Sequence, residues 1–141
     1  MDSGNFQVKN QYRSPVSRHF ITQVKQNTYA REINTVIAPI VNFQADVAAI
    51  NAGEAEYFID NNGATNFRIN NRIYGVHQDT YTLYPISGIG LYQLDRGAFK
   101  ALGVYNKFGD TTETRKILDK MGASPEQRQA ALIAWQTTQG E

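Results

Sequence analysis

Cysteine is missing from this chain. Its absence excludes disulfides, thiol nucleophiles and thiolate metal sites together. Histidine is nearly as scarce. His19 and His77 are the only two, and neither has a His-x-x-x-His partner or a carboxylate cluster beside it, so no metal-ligand spacing exists and no metal or other cofactor is expected. Charge is sparse as well, with 19% charged residues, a formal net charge of +1 and a pI near 8.0. That balance argues against a strongly basic nucleic-acid binder of the counterion-release kind. It leaves room for a small enzyme whose few cations gather in one cleft. No apolar run approaches the ~18 residues that a membrane span needs. The start lacks the charged-then-apolar layout of a signal peptide, so export would use a signal elsewhere, on a larger precursor.

What fills the charge deficit is amide: 12 Asn and 11 Gln in 141 residues. The hydrophobic fraction of 41% is enough for one domain with a real core. We expect a single domain over 1–141, with 1–17 poorly ordered because Gly4, Asn5, Asn10 and Pro15 interrupt any pattern.

The clearest helical signal lies at Tyr29 to Gly53. Ile33, Val36, Ile37, Ile40, Phe43, Val47 and Ile50 recur at three- and four-residue steps, giving one apolar helical stripe with Thr28 as N-cap and, at Pro39, a kink or two helices meeting. Glu54–Asp60 is ambiguous. From Asn66 to Phe99 the strand signal dominates. Period-two alternation predicts an antiparallel meander of strands at Thr65–Ile69, Arg72–His77 and Thr82–Ile86. Asn70-Asn71 supplies the first turn and Gln78–Tyr81 the second, and Ser87-Gly88-Ile89-Gly90 ends the sheet. Helices then follow from Asp95 to Phe108, from Thr111 or Thr112 to Gly122, and from Ser124-Pro125-Glu126-Gln127 onward. Ile117, Leu118, Leu132 and Trp135 sit at helical spacing and read as core. The fold class is therefore α+β: N-terminal helices, a small antiparallel sheet of about three or four strands, and C-terminal helices.

Candidate chemistry gathers in the sheet. His77 reads either as a proton shuttle near neutral pH or as a histidine satisfying turn backbone groups. Thr82 and Tyr84 are two apart on a strand and share a face, so hydroxyl and phenol can point into one cleft or simply pack. Arg72, Arg96 and Lys100 flank the same stretch. Arg96 and Lys100 are four apart on one helix face, which suits either a phosphate or bare solvent. Ser87-Gly88-Ile89-Gly90 lacks the GxxxxGK[ST] and GxGxxG patterns and reads as a turn. Ser87, His77 and Asp79 lack the nucleophile elbow that a hydrolase triad requires.

The run RIYGVHQDTYTLYPISGIG followed by LDRGAFKAL resembles the C-terminal toxin domains of bacterial contact-dependent and other polymorphic secreted proteins, many of them ribonucleases of the barnase–EndoU–RelE-like group. The resemblance spans about Ile50 to Trp135. It implies a metal-independent ribonuclease in which the ribose hydroxyl is the nucleophile. His77, Thr82 and Tyr84 would then be catalytic, with His19 as a second histidine, and Arg72, Tyr74, Arg96 and Lys100 would bind substrate. It also implies RNA, tRNA included, as substrate, a cognate immunity protein as partner, and delivery to a target-cell cytoplasm as part of a secreted precursor; outside that family the chain reads as cytoplasmic. The departure from the family is that three helices follow the sheet here. Two other classes are compatible with the residues: a non-catalytic interaction module of a phage or mobile element, and an NAD-consuming toxin.

Overall fold

The computed structural model describes residues 11–140, so part of the expectation for 1–17 lies outside the described residues. The described chain is α+β, with six strands β1 (Ile33–Ile37), β2 (Glu56–Ile59), β3 (Thr65–Ile69), β4 (Arg72–His77), β5 (Thr82–Gly88) and β6 (Leu91–Asp95). Its α-helices are α1 (Phe43–Asn51), α2 (Arg96–Phe108), α3 (Thr112–Met121) and α4 (Pro125–Gln136), with 3-10 turns at Ser17–His19 and Ile21–Gln23. None of the described helices is long and apolar enough to cross a membrane. Its contacts divide it into two compact units, one of 11–16 with Val41–Ile89, the other of Ser17–Ile40 with 90–140.

The first unit is a four-stranded antiparallel sheet in the order β2-β3-β4-β5, with α1 on one face. Strand alternation sends Phe67, Tyr74, Val76 and Leu83 to that face, where they meet Val47 and Ile50. The β3–β4 turn forms as the sequence predicts: Asn70 and Asn71 both take positive φ, 53° and 64°, as a tight two-residue hairpin requires. Residues 12 and 13 contact the sheet. Arg13 adds a parallel bridge to the β5 edge, donating to the Tyr81 carbonyl and accepting from Leu83 N–H, while Tyr12 packs edge-on against Phe67.

The second unit pairs β1 with β6 antiparallel and packs three helices beside them. Its buried residues include Ile21, Val36, Leu94, Phe99, Leu102 and Leu118. The helix ends follow the sequence. Asp95 accepts from Ala98 N–H at 2.8 Å, Thr111 caps α3, Gly122 stops it in the left-handed region, and Ser124 and Gln127 close a reciprocal capping box.

Two expectations fail. The helical stripe expected from Tyr29 to Gly53, kinked or broken into two helices at Pro39, is a strand, a turn and a short helix, and Ile33 and Ile40 are 61% and 90% exposed instead of facing a core. Positions 33 and 37, four apart, satisfy either period, and the β-branched Ile33, Thr35, Val36 and Ile37 favour the extended chain. The N-cap of the helix that remains is Asn42, which accepts from Ala45 N–H; the Thr28 hydroxyl instead accepts from Lys25 N–H. Likewise Ser87–Gly90 does not end the strands. It turns the chain from β5 to β6, whose partner β1 is 54 or more residues earlier in the ladder, a pairing that local alternation does not reveal. The ambiguous Glu54–Asp60 stretch supplies the edge strand β2.

Ile117, Leu132 and Trp135 are half-buried, not core as their spacing suggests. The indole of Trp135 stacks on Tyr105 with ring centroids 5.8 Å apart. Trp135→Ala should therefore cost about 2 kcal/mol, less than the 3–5 kcal/mol or so of a fully buried ring. A denaturation midpoint unchanged from wild type would contradict this packing role.

Candidate active site

β4 and β5 pair with Gly75 opposite Tyr84, Val76 opposite Leu83, and His77 opposite Thr82. Val76 and Leu83 lie in the core against α1, so alternation turns Gly75, His77, Thr82 and Tyr84 to the other face. Three of the four residues read from the sequence as catalytic, His77, Thr82 and Tyr84, thus share one sheet face, while His19 lies in the second unit. The His77 and Tyr84 rings meet diagonally, with centroids 4.6 Å apart and planes inclined by 35°.

Gly75 makes this contact possible. A Cβ there would lie 2.5 Å from Cζ of Tyr84, so the phenol ring lies across the space that any larger residue would fill. Thr82 sits at the start of β5, its hydroxyl taking a hydrogen bond from Thr80 at 2.9 Å. Among the described residues, no hydrogen bond ties either ring nitrogen of His77 to the protein, and the ring is half-buried. The alternative that it satisfies turn backbone groups is not what the structure contains: the turn is closed by Tyr81 N–H on the His77 carbonyl, at 2.7 Å. A partly shielded imidazole with unclaimed nitrogens beside a phenol and a hydroxyl can accept and return protons.

Arg72 and Tyr74 point the other way, into a network the sequence does not announce. Its centre is Asp46 on α1, with no exposed surface. The Asp46 carboxylate accepts from Tyr74 Oη at 2.5 Å, Arg72 Nε at 2.7 Å, Asn70 Nδ2 at 2.8 Å and Arg72 Nη2 at 3.2 Å. Burial opposes ionisation of Asp46, but the hydrogen bonds from Arg72, Asn70 and Tyr74, with the Arg72 charge, outweigh it and hold the carboxyl below its ordinary range. Burial, then the bond to Asp46, pushes the Tyr74 phenol up. The bond to Asp46 raises the Arg72 guanidinium further. Arg72 and Tyr74 therefore serve to fix α1 on the β3–β4 hairpin.

His19 and the Arg96–Lys100 pair belong to the second unit. His19 is buried in its 3-10 turn, with Nδ1 2.9 Å from the Thr35 carbonyl oxygen. Arg96 and Lys100 are exposed on α2 and line a cavity of about 240 Å³ together with residues 26–30. No group of three or more His, Asp or Glu among the described residues is placed to hold a metal ion. No protein-family model, curated protein or solved structure matches this chain.

Proposed function

We propose that this chain is a metal-independent endoribonuclease of the secreted bacterial toxin kind. The observation that carries the reading is the His77 imidazole, free of protein hydrogen bonds among the described residues and seated against the Tyr84 phenol opposite Thr82. RNA transesterification needs a base for the 2′-hydroxyl, an acid for the departing 5′-oxygen and a donor on the phosphate. His77 takes the 2′-hydroxyl proton as that oxygen attacks phosphorus. The Tyr84 phenol gives its proton to the 5′-oxygen as the P–O5′ bond breaks, and the Thr82 hydroxyl donates to a non-bridging oxygen. The products are a 2′,3′-cyclic phosphate and a 5′-hydroxyl, and His77 returns its proton to the phenolate through water. Arg96 and Lys100 are the cations assigned to substrate phosphate. On this reading RNA is the substrate, a cognate immunity protein the partner, and a larger secreted precursor the vehicle.

Incubation of total RNA with the purified chain in EDTA tests the proposal. Discrete fragments should appear, and a 2′-deoxy strand of the same sequence should stay intact. Uncut RNA in the presence of folded protein would overturn it. That outcome would favour the reading as an interaction module, which draws on Tyr57 and Ile59, 60% and 51% exposed on the edge strand β2.

A further inference from the structure

The second unit carries a groove that extends well past the Arg96–Lys100 pair. Arg96, Lys100, Gly103 and Lys107 recur at steps of four, three and four, so they form one row along α2. The segment 22–30 runs beside this row. Asn106 Nδ2 ties it down by donating to the carbonyls of Ile21 at 2.7 Å and Val24 at 2.8 Å. Gly103 lets it approach, since a Cβ there would lie 2.5 Å from the Lys25 carbonyl carbon. On either side of this close approach the surface opens. One cavity, about 490 Å³, is lined by Lys25 and Lys107; the other, about 240 Å³, by Arg96 and Lys100. Gln26 and Asn27 line both, so the two cavities adjoin.

The charge pattern is one-sided. None of the described residues lining either cavity is acidic. Among the described residues, no carboxylate pairs with Lys25, Arg96, Lys100 or Lys107, whereas Arg68, Arg72, Arg115 and Arg128 each have an acidic partner. At the Arg96–Lys100 end stands Tyr29, 71% exposed, with the Arg31 guanidinium 5.9 Å from its ring centroid. Four cations without a carboxylate partner among the described residues, amides between them and an exposed aromatic at one end match the demands of a single nucleic-acid strand: charge for phosphates, amides for base edges and a platform for stacking. The row from residue 96 to residue 107 is about 16 Å long at about 1.5 Å of helix rise per residue.

We infer that this groove binds single-stranded RNA through its phosphates, with a base stacked on Tyr29. The inference deepens the ribonuclease reading, which supplies the substrate class, but its test is independent of cleavage. The probe is a fluorescent ten-nucleotide oligodeoxynucleotide of mixed sequence, which has no 2′-hydroxyl to react. Its affinity is measured from 50 to 200 mM salt for wild type, Arg96→Gln/Lys100→Gln, Lys25→Gln/Lys107→Gln and, as a control elsewhere, Lys116→Gln/Lys120→Gln. Each groove pair should weaken binding by about tenfold or more at low salt and flatten the log–log salt slope by about 1.4. The α3 control should leave both unchanged, and Tyr29→Ala should lose at least about fivefold. All the altered residues are exposed, so an unchanged Tm is expected and confirms that folded proteins are compared.

Wild-type affinity and slope in both groove pairs would overturn the inference, as would an equal loss in the α3 control. Polyglutamate that binds as tightly as the oligonucleotide, with Tyr29→Ala neutral, would also overturn it and assign the groove to an acidic protein. Groove variants that lose binding while RNA is never cut would leave the groove standing and remove the ribonuclease reading. The reverse pattern would remove the groove alone.

Discussion

Replacing Asp46 with Ala is expected to destabilise the fold by about 3–5 kcal/mol, the usual cost of breaking a buried ion pair by removing one partner. The loss has an identifiable source. Asp46 has no exposed surface, and its carboxylate is the common acceptor for Arg72, Tyr74 and Asn70. Without it, Arg72 keeps its charge in a site where its side chain is only 12% exposed, and the Tyr74 hydroxyl is left buried without that acceptor. The network also sets a pH dependence. Because the folded-state pKa of Asp46 is depressed, its contribution is fully present above the unfolded value, about 4. It declines as the pH falls below that and is gone once the pH has passed through the lower folded value. Urea unfolding of wild type should show this acid-side decline, and Asp46→Asn should remove that component. A mutant with the wild-type midpoint, or an Asn variant with the same acid-side slope, would show that the network contributes little.

His77→Ala should lower RNA cleavage by about 10²–10⁴-fold while leaving the fold intact, because general acid–base groups are worth that much and the ring is only half-buried. Tyr84→Phe keeps the ring over Gly75 and beside His77 but removes the proton donor, so a smaller loss is expected. The two variants separate chemistry from packing. If Tyr84 only fills space over Gly75, the Phe variant should cleave at the wild-type rate. Initial rates on a fluorogenic RNA, with Tm measured for each protein, distinguish these cases. Full activity in His77→Ala would remove the imidazole from the mechanism.

The sequence exposes the parts of this molecule that local chemistry determines. Asn70-Asn71 specifies a tight hairpin by its tolerance of positive φ, and alternation around it delivers His77, Thr82 and Tyr84 to one face. Asp95, Thr111 and Ser124 start helices because their side chains can accept from the first free backbone N–H groups. Where a distant partner decides the conformation, pattern reading fails. Ile33, Val36 and Ile37 look helical until β6 arrives to pair with them, and that pairing joins segments far apart in the chain. The Asp46 network is hidden for the same reason. Asp46 stands in the middle of an otherwise apolar helix face, an anomaly that hints at a buried partner without naming Arg72 or Tyr74, 26 and 28 residues away. Arg96 and Lys100 are legible as a helical pair, but the groove needs Gly103, Asn106 and the 22–30 segment, whose approach to α2 is a matter of tertiary packing.

The most direct test of the ribonuclease reading is the chemistry of the ends left on RNA cut by the wild-type chain in EDTA. Attack by the ribose hydroxyl predicts a 2′,3′-cyclic phosphate on one fragment and a 5′-hydroxyl on the next, both readable by mass spectrometry. Fragments ending in 3′-hydroxyl and 5′-phosphate, or RNA that stays whole with folded protein present, would contradict it.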